Sequence, residues 1–84
     1  MSTKKILDAR AKTHGSFEAN AEMSQALKLR IGSAGNLGLS DTQREALDMI
    51  ALKISRITTG NPNIKDHWAD IAGYATLVAN TLED

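Results

Sequence analysis

The sequence predicts an all-α domain, a small helical bundle of three main helices behind a short N-terminal one. Three observations predict it. Apolar residues recur three and four apart over most of the chain. No segment alternates apolar and polar residues over a useful length. Glycine, serine and proline punctuation breaks the chain beside good helix-capping residues.

The first helix spans Thr3–Lys12, with Ser2 or Thr3 as its cap and Ile6, Leu7 and Ala9–Ala11 as its apolar content. Thr13-His14-Gly15 ends it, with Gly15 as the C′ residue. Ser16 is the N-cap of a second helix, Phe17–Ile31, whose stripe is Phe17, Ala21, Met23, Ala26, Leu27 and Ile31. Residues 32–40, GSAGNLGLS, carry three glycines and read as a flexible loop tethered by Leu37 and Leu39. Ser40 or Asp41 caps helix three, and Ser40 with Gln43 resembles a capping box. That helix runs to about Thr58 on a stripe of Ala46, Leu47, Ile50, Ala51, Ile54 and Ile57. Gly60 at C′ and Pro62 just beyond stop it. Asp66 caps or opens helix four, which runs to about Leu82 and is slim with alanine and Gly73.

Eighty-four residues make a single domain, 1–84. So small a chain buries only about 60–65% of the surface that its unfolded form exposes. Without cysteine it has no disulfide and no zinc–thiolate site to add stability. Ten acidic and ten basic residues cancel, which argues against general nucleic-acid binding. No apolar run approaches a membrane span and no signal-peptide core follows the basic start, so a cytoplasmic protein is expected. Helix four carries apolar groups on more than half its circumference, Ile71, Tyr74, Leu77, Val78 and Leu82 among them. A surplus of that kind marks an interface, and a two-fold homodimer is the simplest one.

Four carboxylates on helices three and four are the candidate metal ligands: Glu45 and Asp48, three apart, and Asp66 and Asp70, four apart. Mg²⁺ takes hard oxygen ligands, and two to four convergent carboxylates suffice. The short linker makes the two helices antiparallel, which favours a ladder of Lys53 and Arg56 facing Asp70 and Asp66. In that register a metal site needs Asp70 to project toward the middle, or carboxylates from another helix or chain. Lys53 is the candidate partner of Asp70, and Lys53 and Arg56 are the candidate phosphate contacts. Tyr74 reads as a core aromatic or a platform for a base, and Trp68 as an anchor in the core or in a dimer interface. His14 reads as a loop histidine or, with Lys12 and the start of helix two, a phosphate contact; His67 reads as exposed.

Three segments carry a family resemblance. They are Arg10 with His14-Gly15-Ser16-Phe17, then Ile50-Ala51-Leu52-Lys53-Ile54-Ser55-Arg56-Ile57, then Asp66 with Asp70-Ile71-Ala72-Gly73-Tyr74-Ala75. Over nearly the whole chain the pattern resembles small phage and prophage proteins of the nucleotide-modification-associated helical type. Over residues 41–80 it is more distantly similar to the all-α MazG-like nucleoside triphosphate pyrophosphohydrolases. Those enzymes hold Mg²⁺ with a Glu-x-x-Glu and a Glu-x-x-Asp pair on successive helices. Glu45-x-x-Asp48 matches the first with a conservative change, whereas the second stands as His67-x-x-Asp70, its first acid replaced unless Asp66 substitutes. The resemblance implies Glu45, Asp48 and Asp70 as catalytic, with Mg²⁺ as cofactor and a nucleotide as ligand. The alternative is a non-enzymatic phage protein that binds and inhibits a host or defence protein through the surplus apolar face.

Overall fold

The structure, a computed structural model, describes residues 3–35 and 38–83. They form four helices and no strand: α1 (Thr3–His14), α2 (Phe17–Ser33), α3 (Asp41–Thr59) and α4 (Lys65–Ala79). None of these helices is long and apolar enough to cross a membrane.

Local chemistry sets most of the boundaries. The N–H of Gly15 reaches Ala11 O at 3.0 Å with φ at +77°, so glycine closes α1 in the left-handed conformation its position requires. Ser16 Oγ accepts from the Ala19 N–H at 3.1 Å and opens α2. A full capping box opens α3: Ser40 Oγ accepts from Gln43 N at 3.0 Å, and Gln43 Oε1 accepts from Ser40 N at 2.9 Å. Of the two roles open to Asp66, capping or opening α4, it takes the second: the N-cap is Ile64, with no side-chain bond, and Asp66 lies in the first turn and meets the helix dipole. Two expectations are corrected. The end of α4 is Ala79, short of Leu82. At the other loop, α2 continues through Gly32 to Ser33, and Leu39 is exposed instead of tethering the segment. The cap assigned to Ser2 and the tether assigned to Leu37 lie outside the described residues.

The helix order in space follows from α3. Both α2 and α4 pack against it and not against each other, while α1 crosses one end of the α2–α3 pair. The result is an open bundle, one layer deep at its edges, with extents of 47 × 25 × 21 Å. Its radius of gyration is 14.6 Å, against about 12 Å for a compact chain of this length. At one end two turns meet backbone to backbone. A Cβ on Gly60 would sit 2.6 Å from Gly15 N, and one on Gly15 would overlap Thr59 O. Gly60 is therefore demanded by space. Its φ of −123° lies outside the left-handed region, so the left-handed C′ role expected of it is not the reason for a glycine there.

The interior is unusual in composition. Among the described residues the buried apolar side chains are Ala46 and Ala51 alone, while Asn20, Ser24, Lys53, Ser55 and His67 are buried and polar. A helix packed on two sides presents two faces to protein, so α3 buries Ser55 toward Asn20 of α2 and Lys53 toward Asp70 of α4. The larger apolar groups of its stripe are only half-buried, and Ile54 is exposed.

Candidate functional site

Three helical faces converge on a cleft of about 440 Å³ between α1, α2 and α3. Each face is a four-residue repeat, which stacks side chains along one side of a helix. Helix α1 supplies Leu7, Arg10, Ala11 and His14; α2 supplies Asn20, Ser24 and Lys28; α3 supplies Leu52 and Arg56. Phe17 and Gly15 stand at the start of α2, so the positive end of that helix opens on the same space. Arginine, lysine and histidine line the cleft, and no carboxylate does among the described residues.

Two donors in this cleft are unsatisfied. Ser24 Oγ and Arg56 Nε are buried and have no hydrogen-bond partner, although Ser24 is only 3% exposed. A buried polar group without a partner costs about 1–3 kcal/mol, more when charged, so such groups point to something that binds them. Both can donate and both belong to residues beside cations, a setting in which an acceptor-rich group would satisfy them.

A buried polar network holds the cleft open from behind. Ser55 Oγ shares its one proton between Asn20 Oδ1 at 2.7 Å and Leu52 O at 2.6 Å, and Asn20 Nδ2 donates to His14 O at 3.3 Å. His67 Nε2–H donates to Thr13 O at 2.9 Å. Thr13 Oγ1 donates to Arg10 O at 3.1 Å, which leaves its oxygen to accept from His14 Nδ1–H at 2.7 Å. The rings of His14 and His67 meet edge to face with centroids 5.0 Å apart. Burial holds the His14 pKa below its ordinary value of 6.5, and the charges of Arg56, His67 and Arg10 lower it further; a hydrogen bond to the Thr13 backbone opposes them.

The residues expected from sequence are placed differently. Lys53 Nζ lies 2.9 Å from Asp70 Oδ2, the pairing the sequence suggested, with the lysine buried and the aspartate half-exposed. Arg56, one turn further along α3, enters the cleft and makes no ion pair with Asp66, so the ladder has one rung among the described residues. Glu45 and Tyr74 line a second, shallower cavity of about 400 Å³ with Asp41, Leu77 and Val78, where α3 begins and α4 ends. Asp48 is half-buried on α3 and Asp66 exposed on α4. Among the described residues no three His, Cys, Asp or Glu groups come together to hold a metal. With Lys53 level with Asp70, Asp48 and Glu45 lie five and eight residues earlier on α3, about 8 and 12 Å away from that level.

Sequence reading missed Arg10, Lys28, Asn20, Ser24 and Ser55, and placed His67 in solvent although it is 3% exposed. A signal existed for the cleft, since Arg10–His14, Asn20–Ser24–Lys28 and Leu52–Arg56 each repeat at four. His67 is buried by the α1–α2 turn, 54 residues away along the chain, which no local pattern encodes. A family model described as Domain of unknown function (DUF6378) matches residues 2–82, taking in the four helices and both cavities. No curated relative and no solved structure matches the chain.

Proposed function

We propose that this chain, which belongs to the DUF6378 family, binds a nucleotide through its phosphates in the cleft between α1, α2 and α3, and does so as a homodimer. The carrying observation is the pair of buried, partnerless donors, Ser24 Oγ and Arg56 Nε, in a cleft of cations without a carboxylate. Phosphate oxygens accept from both, and the guanidinium of Arg56 and the neighbouring Arg10 and Lys28 balance their charge. A net charge of zero over the whole chain makes this a local site, suited to a small anion and not to a polymer's backbone. Nucleotide, as opposed to free phosphate, comes from the resemblance carried by His14-Gly15-Ser16-Phe17 and Lys53–Arg56.

The residues expected to ligate Mg²⁺ do not fit one within a single chain. Asp70 is engaged with Lys53, and Glu45 lies at the opposite end of α3 from Arg56. Binding, and not triphosphate hydrolysis, is the activity this geometry supports. The homodimer rests on the bundle's open edges and its two-alanine apolar interior. The same exposed faces suggested a host or defence protein as partner. A second copy is preferred because it would cover those faces whenever the chain is present, with no other protein required.

Calorimetric titration with pyrophosphate and a panel of nucleoside triphosphates, with and without Mg²⁺, tests the reading. Expected is binding that Arg56→Gln and Ser24→Ala each weaken about tenfold or more in protein of unchanged helicity. No heat with any of these ligands from folded protein overturns the proposal. Release of pyrophosphate in the same samples would restore the hydrolase reading.

A further inference from the structure

We infer that Phe17 of each copy seats in the Tyr74–Leu77–Val78 cavity of the other, closing the homodimer proposed above. Phe17 is 85% exposed, the most exposed large apolar side chain among the described residues. It opens α2 with its ring in solvent, and nothing local holds it there: the cap bond belongs to Ser16 and the buried face of α2 begins at Asn20. An aromatic ring so displayed is what interface anchors are made of. The receiving cavity is apolar in its floor, with Ala46, Tyr74, Leu77 and Val78, and at about 400 Å³ it has room for a phenyl ring.

Knob and hole lie at opposite ends of one rod. The contact of Gly15 with Gly60 fixes Phe17 near the C-terminal end of α3. The cavity is lined by Asp41, Thr42 and Glu45 at its N-terminal end. That helix of 19 residues spans about 28 Å. A two-fold axis across its middle lays two copies of α3 antiparallel and brings each Phe17 to the other copy's cavity, so one contact made twice completes a closed, isologous pair. The area agrees with this seating. The chain exposes 6244 Å², roughly 1,400 Å² more than a compact monomer of its mass, and an excess of that size on each partner is what an obligate homodimer buries.

The inference rests on the homodimer reading, and the experiment separates the two. Sedimentation equilibrium of the whole chain measures dimer dissociation for the native protein and for Phe17→Ala. In parallel, p-benzoylphenylalanine in place of Phe17 is photolysed in a mixture of ¹⁴N and ¹⁵N chains, and the crosslinks are mapped by mass spectrometry. Expected is a dimer dissociation constant raised about thirtyfold or more in Phe17→Ala, with helicity retained above the new dissociation constant. Also expected are mixed-isotope crosslinks to residues 74–78 or 41–46. A dimer that Phe17→Ala leaves intact, or whose crosslinks fall elsewhere, overturns the seating while the homodimer stands. A native chain that is monomeric throughout overturns both.

Discussion

At the scale of single residues, the cleft is tuned by a histidine whose proton is held off. The pKa of His14 is lowered from 6.5 by burial first and then by Arg56, His67 and Arg10. The unfolded chain therefore takes up this proton before the folded one does. The sign is that His14 contributes no loss above pH 6.5, and stability declines as pH falls from there to the lower folded value. An anion in the cleft reverses the bias, because it favours the imidazolium. Sulfate, whose own charge is constant over this range, should bind more tightly at pH 5.5 than at 7.5, and His14→Gln should flatten that dependence. A slope that survives in His14→Gln would assign the proton to another group. Behind it, Ser55→Ala leaves Asn20 Oδ1 without the donor 2.7 Å away in a buried position. The expected cost is about 1–3 kcal/mol in urea denaturation. Of these residues only the Lys53–Asp70 pair was legible beforehand, because a lone aspartate on an apolar helix calls for a cation across the hairpin. His67 and Ser55 were not, since what buries them comes from elsewhere in the chain.

Helix starts are governed by chemistry within a few residues, and there the sequence was readable: Ser16, and Ser40 with Gln43, cap as their types predict. The start of α4 escaped because Ile64 is a poor capping residue and the turn is built by other means. Trp68 Nε1 donates to Pro62 O at 2.8 Å, and Asn63 N donates to Asn61 Oδ1 at 2.9 Å. The joint between the α1–α2 turn and the end of α3 belongs to this scale. Gly60→Ala forces a methyl into the backbone of His14 and Gly15, neither of which can yield like a side chain, and it should cost about 3 kcal/mol or more. Gly73→Ala is the matching control, since a Cβ there meets nothing within 4 Å in the middle of α4. It should stabilise by about 0.5–1 kcal/mol through backbone entropy. Thermal or urea unfolding of the two variants reads both signs, and a neutral Gly60→Ala would mean that the two turns do not touch.

For the whole molecule the governing fact is where the apolar surface is. Amphipathic stripes on three helices were visible in the sequence, and they implied more core than one chain contains. The structure explains why: α3 lies between α2 and α4, its two buried faces are mostly small or polar, and the large groups Phe17, Leu29, Trp68, Leu77 and Leu82 remain exposed. Which of those faces would go unpartnered depends on how α2 and α4 sit about α3, and periodicity alone carries no such information. Conformational entropy still opposes folding at full strength, about 1–2 kcal/mol for each residue ordered. Fully buried alanines and half-buried larger apolar groups set little against that, and on the homodimer proposed above association supplies part of the stability. Folding and dimerisation would then form one equilibrium, and mass action would make its midpoint depend on concentration. For two chains of this length unfolding together, each tenfold dilution should lower Tm by about 4 °C. Circular dichroism melts from micromolar to hundreds of micromolar protein measure this directly. A Tm that does not move with concentration would place the full stability inside one chain and overturn the shared equilibrium.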